Sequence, residues 1–273
     1  MSDRALHTQA QLPNILAVGA LVLAAIGSAA GLFVPDLYRD TEAWVREAQA
    51  TDLVTLVLAV PLLALSLRLV RRGDVRWGLV AAGALWYLAY SYAIFAFSVA
   101  PNELSLLYIA VLGLSAWSLV LRLSAGDERS LSNASPRLPL RATGVFLLAV
   151  PVLFGLLWLG EITGAASASG PSEALVELGL PTNPIWPLDL AFALPVVAYG
   201  GIRLLRSDAR ALATALPALA FLIIIGLAVL AVFVFDIAAG ADLEPVPMLI
   251  VGTITAIAVA LGLTAMLPDS PEA

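Results

Sequence analysis

The chain has no cysteine, no lysine and a single histidine, His7. Without cysteine there is no disulfide, no thiolate metal site and no cysteine nucleophile. One histidine excludes paired-histidine haem ligation and a histidine metal cluster within one chain. Without lysine, a retinal-type Schiff base is excluded too. Charge is scarce: 12% of residues are charged, against roughly 25% in a soluble domain. What fills the chain is apolar. Hydrophobic residues make up 61% of 273, and the mean hydropathy is +0.96. Such a chain must use lipid as its solvent. No catalytic motif, metal-ligand spacing or cofactor fingerprint stands out, and nothing points to nucleic acid.

Runs of roughly 18 or more apolar residues read as membrane-spanning helices. They fall at Leu12–Val34, Asp52–Val70, Trp77–Val99, Leu104–Leu121, Thr143–Leu159, Ile185–Leu205, Leu212–Phe235 and Val246–Leu267. These are spans 1 to 8. Barrel strands are excluded, since they are about 10 residues long with alternating hydrophobicity. Ser28-Ala29-Ala30 resembles a signal-peptidase site, but the first apolar run is long for a signal peptide and only Arg4 precedes it. The expected fold is all-α: an eight-transmembrane-helix bundle, one polytopic domain over residues 1–273.

The basic charge is entirely arginine, and it is one-sided. Twelve of the 14 arginines precede span 1, lie between spans 2–3, 4–5 and 6–7, or stand in the last turn of span 2 or 6 leading there; the opposite loops hold only Arg39 and Arg46. Positive residues stay cytoplasmic, so both termini are expected inside the cell, in a multi-pass cell-membrane protein. Acids show the reverse bias, with 13 of 20 at the outer side or outer helix ends. That bias reads either as a solvated acidic face or as a cation-attracting mouth. No charge is expected near the span centres, which argues against ion-coupled transport.

Two outer segments carry structure of their own. Asp40–Ala50 has a capping start and early acids, and reads as a short interfacial helix anchored by Trp44. Within Gly164–Pro184, the stretch Pro171–Gly179 reads as a second short capped helix.

The polar positions near the outer side are few. Asp52 and Asp189 sit at the expected starts of spans 2 and 6, where aspartate caps amides. Glu161 ends span 5 beside Trp158, where the helix dipole disfavours a carboxylate. Asp236 ends span 7 in the same unfavourable way. Asn102 lies in the tight turn Pro101-Asn102-Glu103 and is placed to cap span 4. Span 3 carries Tyr87, Tyr90 and Tyr92, which cannot share one helix face, so their hydroxyls need partners inside the bundle or at its edge. Gly27 and Gly31 form a small-xxx-small pattern that permits close helix contact.

An internal repeat is also legible. Pro61, Arg68, Arg71 and Asp74-Val-Arg76 recur in order as Pro195, Arg203, Arg206 and Asp208-Ala-Arg210. Residues 12–122 and 140–267 then form a parallel four-plus-four repeat about an axis along the membrane normal.

Thr51-Asp52-Leu-Val-Thr55-Leu, Tyr90-Ser-Tyr92-Ala, Pro101-Asn102 with Tyr108, and Leu188-Asp189-Leu with Pro195 resemble a family of uncharacterised multi-span integral membrane proteins of bacteria and archaea. The resemblance implies a shared architecture and assigns no catalytic role, cofactor or oligomeric state.

Two function classes follow. One is a binding, permeation or membrane-enzyme module with an outward-facing pocket formed by Asp52, Tyr90, Tyr92, Asn102, Glu161 and Asp189. Carboxylate, hydroxyl and amide oxygens suit a cation or a small polar ligand such as a polyol or amine. The other is a structural or partner subunit of a membrane complex, whose acids only cap helices. Convergence of those six residues on one cavity would favour the first.

Overall fold

A computed structural model describes residues 3–72, 74–124, 138–168, 170, 172–208, 211–242 and 244–267. Arg129, Arg137 and Arg210 of the one-sided arginine set lie outside these residues. Among the described residues every regular element is a helix. Eight helices among the described residues are long and apolar enough to cross a membrane. Span 1 lies in the helix Asp3–Phe33. Spans 2 to 8 are Glu42–Val70, Arg76–Ser98, Ser105–Ser124, Leu140–Ser167, Ile185–Leu205, Ala211–Ala238 and Pro245–Met266. The protein is thus a polytopic membrane protein in contact with a lipid bilayer.

Span 3 is the most enclosed helix. It packs against spans 2, 4 and 7, while span 1 closes onto spans 2 and 4. Span 7 is the second centre, touching spans 2, 3, 6 and 8, and span 5 lies against span 6. Small residues set these contacts, because lipid supplies no hydrophobic drive and close backbone packing must replace it. A Cβ on Gly83 would sit 2.6 Å from the Pro217 carbonyl, so spans 3 and 7 touch backbone to backbone there. Gly144 and Gly201 do the same for spans 5 and 6, a Cβ on Gly201 falling 2.8 Å from the Gly144 carbonyl. Trp86 then stacks on Phe221 across the span 3–span 7 seam at 4.3 Å.

Three local expectations are corrected. The segment Asp40–Ala50 is no separate interfacial helix. Thr41 caps the helix by accepting the Trp44 N–H at 3.4 Å, and the chain continues without a break from Glu42 to Val70. No proline or glycine interrupts residues 42–60, so nothing ends the helix. Trp44, Ala48 and Ala50 are buried, which makes this stretch part of the bundle and Trp44 no interfacial anchor. Asp52 is accordingly no cap. Asp189 is no cap either: Asn183 takes that role, accepting the Ile185 N–H at 2.9 Å. Finally, span 5 runs on to Ser167: Ala165 and Ala166 favour helix, and the Thr163 and Ser167 hydroxyls are satisfied within the helix, each on a carbonyl at 2.8 Å. Glu161 therefore lies inside the helix, and the dipole argument for it falls.

The second short helix expected is present as Glu173–Leu178, capped by Ser172 and ended by Gly179 at φ 70°, the left-handed conformation that glycine adopts without a side-chain penalty. Spans 2 and 6 share a further feature. Each contains one π-helical turn, Thr55–Ala59 and Asp189–Ala193. Each π turn ends two residues before a proline, Pro61 and Pro195. Proline cannot donate to the preceding turn, and a wider turn is one way a helix accommodates that loss.

Candidate functional site

Continuity of span 2 carries Asp52 into the protein interior. It lies sixteen residues before Arg68 in one helix, about 24 Å along the axis at 1.5 Å per residue. Arg68 is in the last turn of that helix. Asp52 is 1% exposed.

The surroundings of Asp52 come from spans 1, 3 and 4 and from the connector after span 1. The Tyr38 hydroxyl donates to its Oδ2. Ser28 lies against the same carboxylate and shares a 3.3 Å hydrogen bond with the Tyr92 hydroxyl. The Tyr92 hydroxyl also donates to the Ala24 carbonyl at 3.2 Å. Tyr108 lies close to Tyr38 and accepts from Asn102 Nδ2 at 3.4 Å. Phe95 packs on three of these rings, Tyr38, Tyr92 and Tyr108, at 6.3, 5.5 and 5.4 Å. Gly31 makes the close approach: a Cβ there would overlap the Asp52 carboxylate. Asp52 Oδ1 is buried and has no hydrogen-bond partner in the protein. Burial, and next the Asp52 carboxylate, push the Tyr38 phenol well above its usual range, so Tyr38 stays a neutral donor.

Gly31 and Tyr38 form part of the wall of a cavity of about 510 Å³, which also meets Asp36, Asp40, Glu42, Arg46 and Gln49. Asp52 stands behind that wall. A second cavity, of about 550 Å³, lies between the end of span 3 and residues 179–188. Asp40 lines both.

A separate cluster surrounds Asp189. The Tyr90 hydroxyl donates to its Oδ1 and Trp158 Nε1 to its Oδ2, each at 2.8 Å. Phe221 meets the Tyr90 ring edge-on at 5.5 Å. Every oxygen of this carboxylate thus has a donor, and the cluster ties spans 3, 5, 6 and 7 together.

Of the six positions singled out from sequence, the structure joins Asp52, Tyr92 and Asn102 in one cluster and Tyr90 and Asp189 in another. Glu161 is exposed and accepts the Trp186 indole N–H at 3.0 Å. Asn102 also caps span 4 as expected, accepting the Leu104 N–H at 2.9 Å. The three tyrosines of span 3 do point three ways: Tyr87 to Thr55 on span 2 at 3.0 Å, Tyr90 to span 6 and Tyr92 to span 1. Asp236 is held by Arg46 at 2.8 Å. Sequence reasoning missed Tyr38, Ser28 and Asp40. The one available signal was Ser28 inside Gly27–Gly31, a polar residue on the face the glycines bring into contact. Among the described residues no group of three or more His, Cys, Asp or Glu side chains is arranged to hold a metal ion.

No family model, no curated protein and no solved structure matches this chain.

Proposed function

We propose that the protein is a membrane-embedded binding or permeation module whose site is Asp52, framed by Tyr38, Tyr92, Tyr108 and Asn102, and that it takes a cation or small cationic ligand. The observation that carries this reading is Asp52 Oδ1, a carboxylate oxygen inside the bundle with no donor in the protein. Such an atom is costly to bury unless something supplies a donor or a positive charge. The two arginines on this side do not: Arg39 binds Glu103 at 2.5 Å and Arg46 binds Asp236. Gly31 supports the reading, since its missing side chain leaves the carboxylate room against the cavity wall. The arginine bias supports placing this end outside the cell and both termini in the cytoplasm.

A structural role is favoured for one part of the molecule. Asp189 has both oxygens satisfied by Tyr90 and Trp158, which is the arrangement of a brace between helices. Glu161, exposed on Trp186, belongs to neither cluster.

The test is thermal stability in a neutral detergent against sodium, potassium and ethanolamine salts. A ligand present at a hundred times its Kd stabilises by about 2.7 kcal/mol. At least one salt should raise the melting temperature of the native protein. Asp52→Asn keeps an acceptor for Tyr38 and removes the charge, so it should lose that rise, while Glu173→Gln keeps it. An unchanged response in Asp52→Asn, or no response to any salt in the native protein, overturns the reading.

A further inference from the structure

The second cavity differs in character from the first. Its walls are largely apolar: Ala93, Phe97 and Val99 from span 3 and its end, and Leu180, Pro184 and Leu188 from the opposite side. At about 550 Å³ it falls in the range of small-molecule sites, roughly 300–1,000 Å³. One acid reaches it, Asp40. Asp40 is fixed from one side only, its Oδ1 accepting the Ala100 N–H at 2.9 Å. Its Oδ2 is buried and has no partner in the protein. The neighbouring arginines are committed to Glu103 and Asp236, so no side-chain cation of this end answers it.

We infer that this cavity binds an amphiphilic cation, an alkylammonium whose chain lies along the Phe97–Leu188 walls and whose headgroup meets Asp40. The charge complement argues for the headgroup: Asp40 is the acid in the cavity's lining, and no side-chain cation is paired with it. The apolar walls argue for the chain, because a small ammonium alone would leave them wet. Burial raises the Asp40 carboxyl above the usual range, against the opposing pull of the Ala100 N–H, which agrees with a carboxylate short of a counter-charge. The site is independent of Asp52, which lines neither cavity.

Three probes separate the contributions: octyltrimethylammonium, octanol and tetramethylammonium, each titrated against the melting temperature of the protein in a neutral detergent. Octyltrimethylammonium should stabilise saturably, with the other two at least tenfold weaker. Asp40→Asn keeps the acceptor for Ala100 and removes the charge; it should weaken octyltrimethylammonium at least tenfold. Thr182→Trp, on the exposed rim, should do the same by filling the space. Asp36→Asn, which touches only the first cavity, should leave it unchanged. Equal binding of octanol, an unaffected Asp40→Asn, or an equal loss in Asp36→Asn overturns the inference. Loss of the Asp52 salt response leaves it standing.

Discussion

Replacing Gly31 with alanine puts a methyl group where the Asp52 carboxylate now lies, with the Tyr38 hydroxyl beside it. Neither neighbour gives way freely. Asp52 is short and buried, and Tyr38 is packed on Phe95 and donates to Asp52. Overpacking of this kind costs about 1–3 kcal/mol. Against it stands the helix propensity of alanine over glycine, about 1 kcal/mol. Gly113 isolates that second contribution, since a Cβ there meets nothing within 4 Å. Gly113→Ala should therefore stabilise by up to about 1 kcal/mol. Gly31→Ala should come out neutral to about 2 kcal/mol destabilised. The assay is thermal unfolding of both variants in one detergent at one scan rate, because membrane-protein unfolding is often irreversible and then rate-dependent. Gly31→Ala should also lose the salt response attributed to Asp52, while Gly113→Ala keeps it. A Gly31→Ala protein as stable as Gly113→Ala, with its salt response intact, would refute the claim that Gly31 shapes the site.

Two further outcomes are expected. Tyr90→Phe and Trp158→Phe each leave one Asp189 oxygen without its donor and should cost about 1–3 kcal/mol; in an Asp189→Leu background the same changes should cost much less, and additive losses in a double-mutant cycle would show that these groups are not coupled. In intact cells an impermeant thiol reagent should label Glu173→Cys and not Asp74→Cys in this cysteine-free chain, and the opposite pattern would reverse the topology.

The eight spans and the close contact at Gly27–Gly31 were legible in sequence, because hydropathy over a membrane thickness and small-residue spacing report local physics; the Gly83, Gly144 and Gly201 contacts were not, because they depend on which spans become neighbours. That Tyr87, Tyr90 and Tyr92 do not share one face followed from helix geometry alone; that each meets a different span did not. The depth of Asp52 did not. Glu42, Arg46, Glu47 and Gln49 make that stretch look like a surface helix, and only the buried face of Trp44, Ala48 and Ala50 shows otherwise. The absence of any helix breaker across residues 42–60 was the readable clue. Tyr38 lay beyond reach of sequence, since its contact with Asp52 depends on how the connector folds back over span 2. Glu161 misled because hydropathy fades at Leu159, whereas the helix ends only where its backbone bonds do. The four-plus-four repeat remains a proposal, now supported by one more correspondence, the two π turns ahead of Pro61 and Pro195.

Those π turns have a consequence for the lengths of the two helices. Spans 2 and 6 look, in their middles, like strings of interchangeable leucine, valine and alanine. Phase makes them otherwise. The residues before each π turn carry Asp52 or the Ile185–Leu188 turn, and those after it carry the arginines. The wide turn sets the rotation of one part against the other. Removing a single residue from Thr55–Ala59 would restore an ordinary ladder and leave Asp52 and Arg68 in nearly their present phase, whereas a deletion in the α-helical turns on either side would swing Asp52 by about 100° relative to Arg68, away from Tyr38 and Gly31. Between Asp52 and Pro61 a residue can thus be lost at the wide turn, and nowhere else, without turning Asp52 away from its partners.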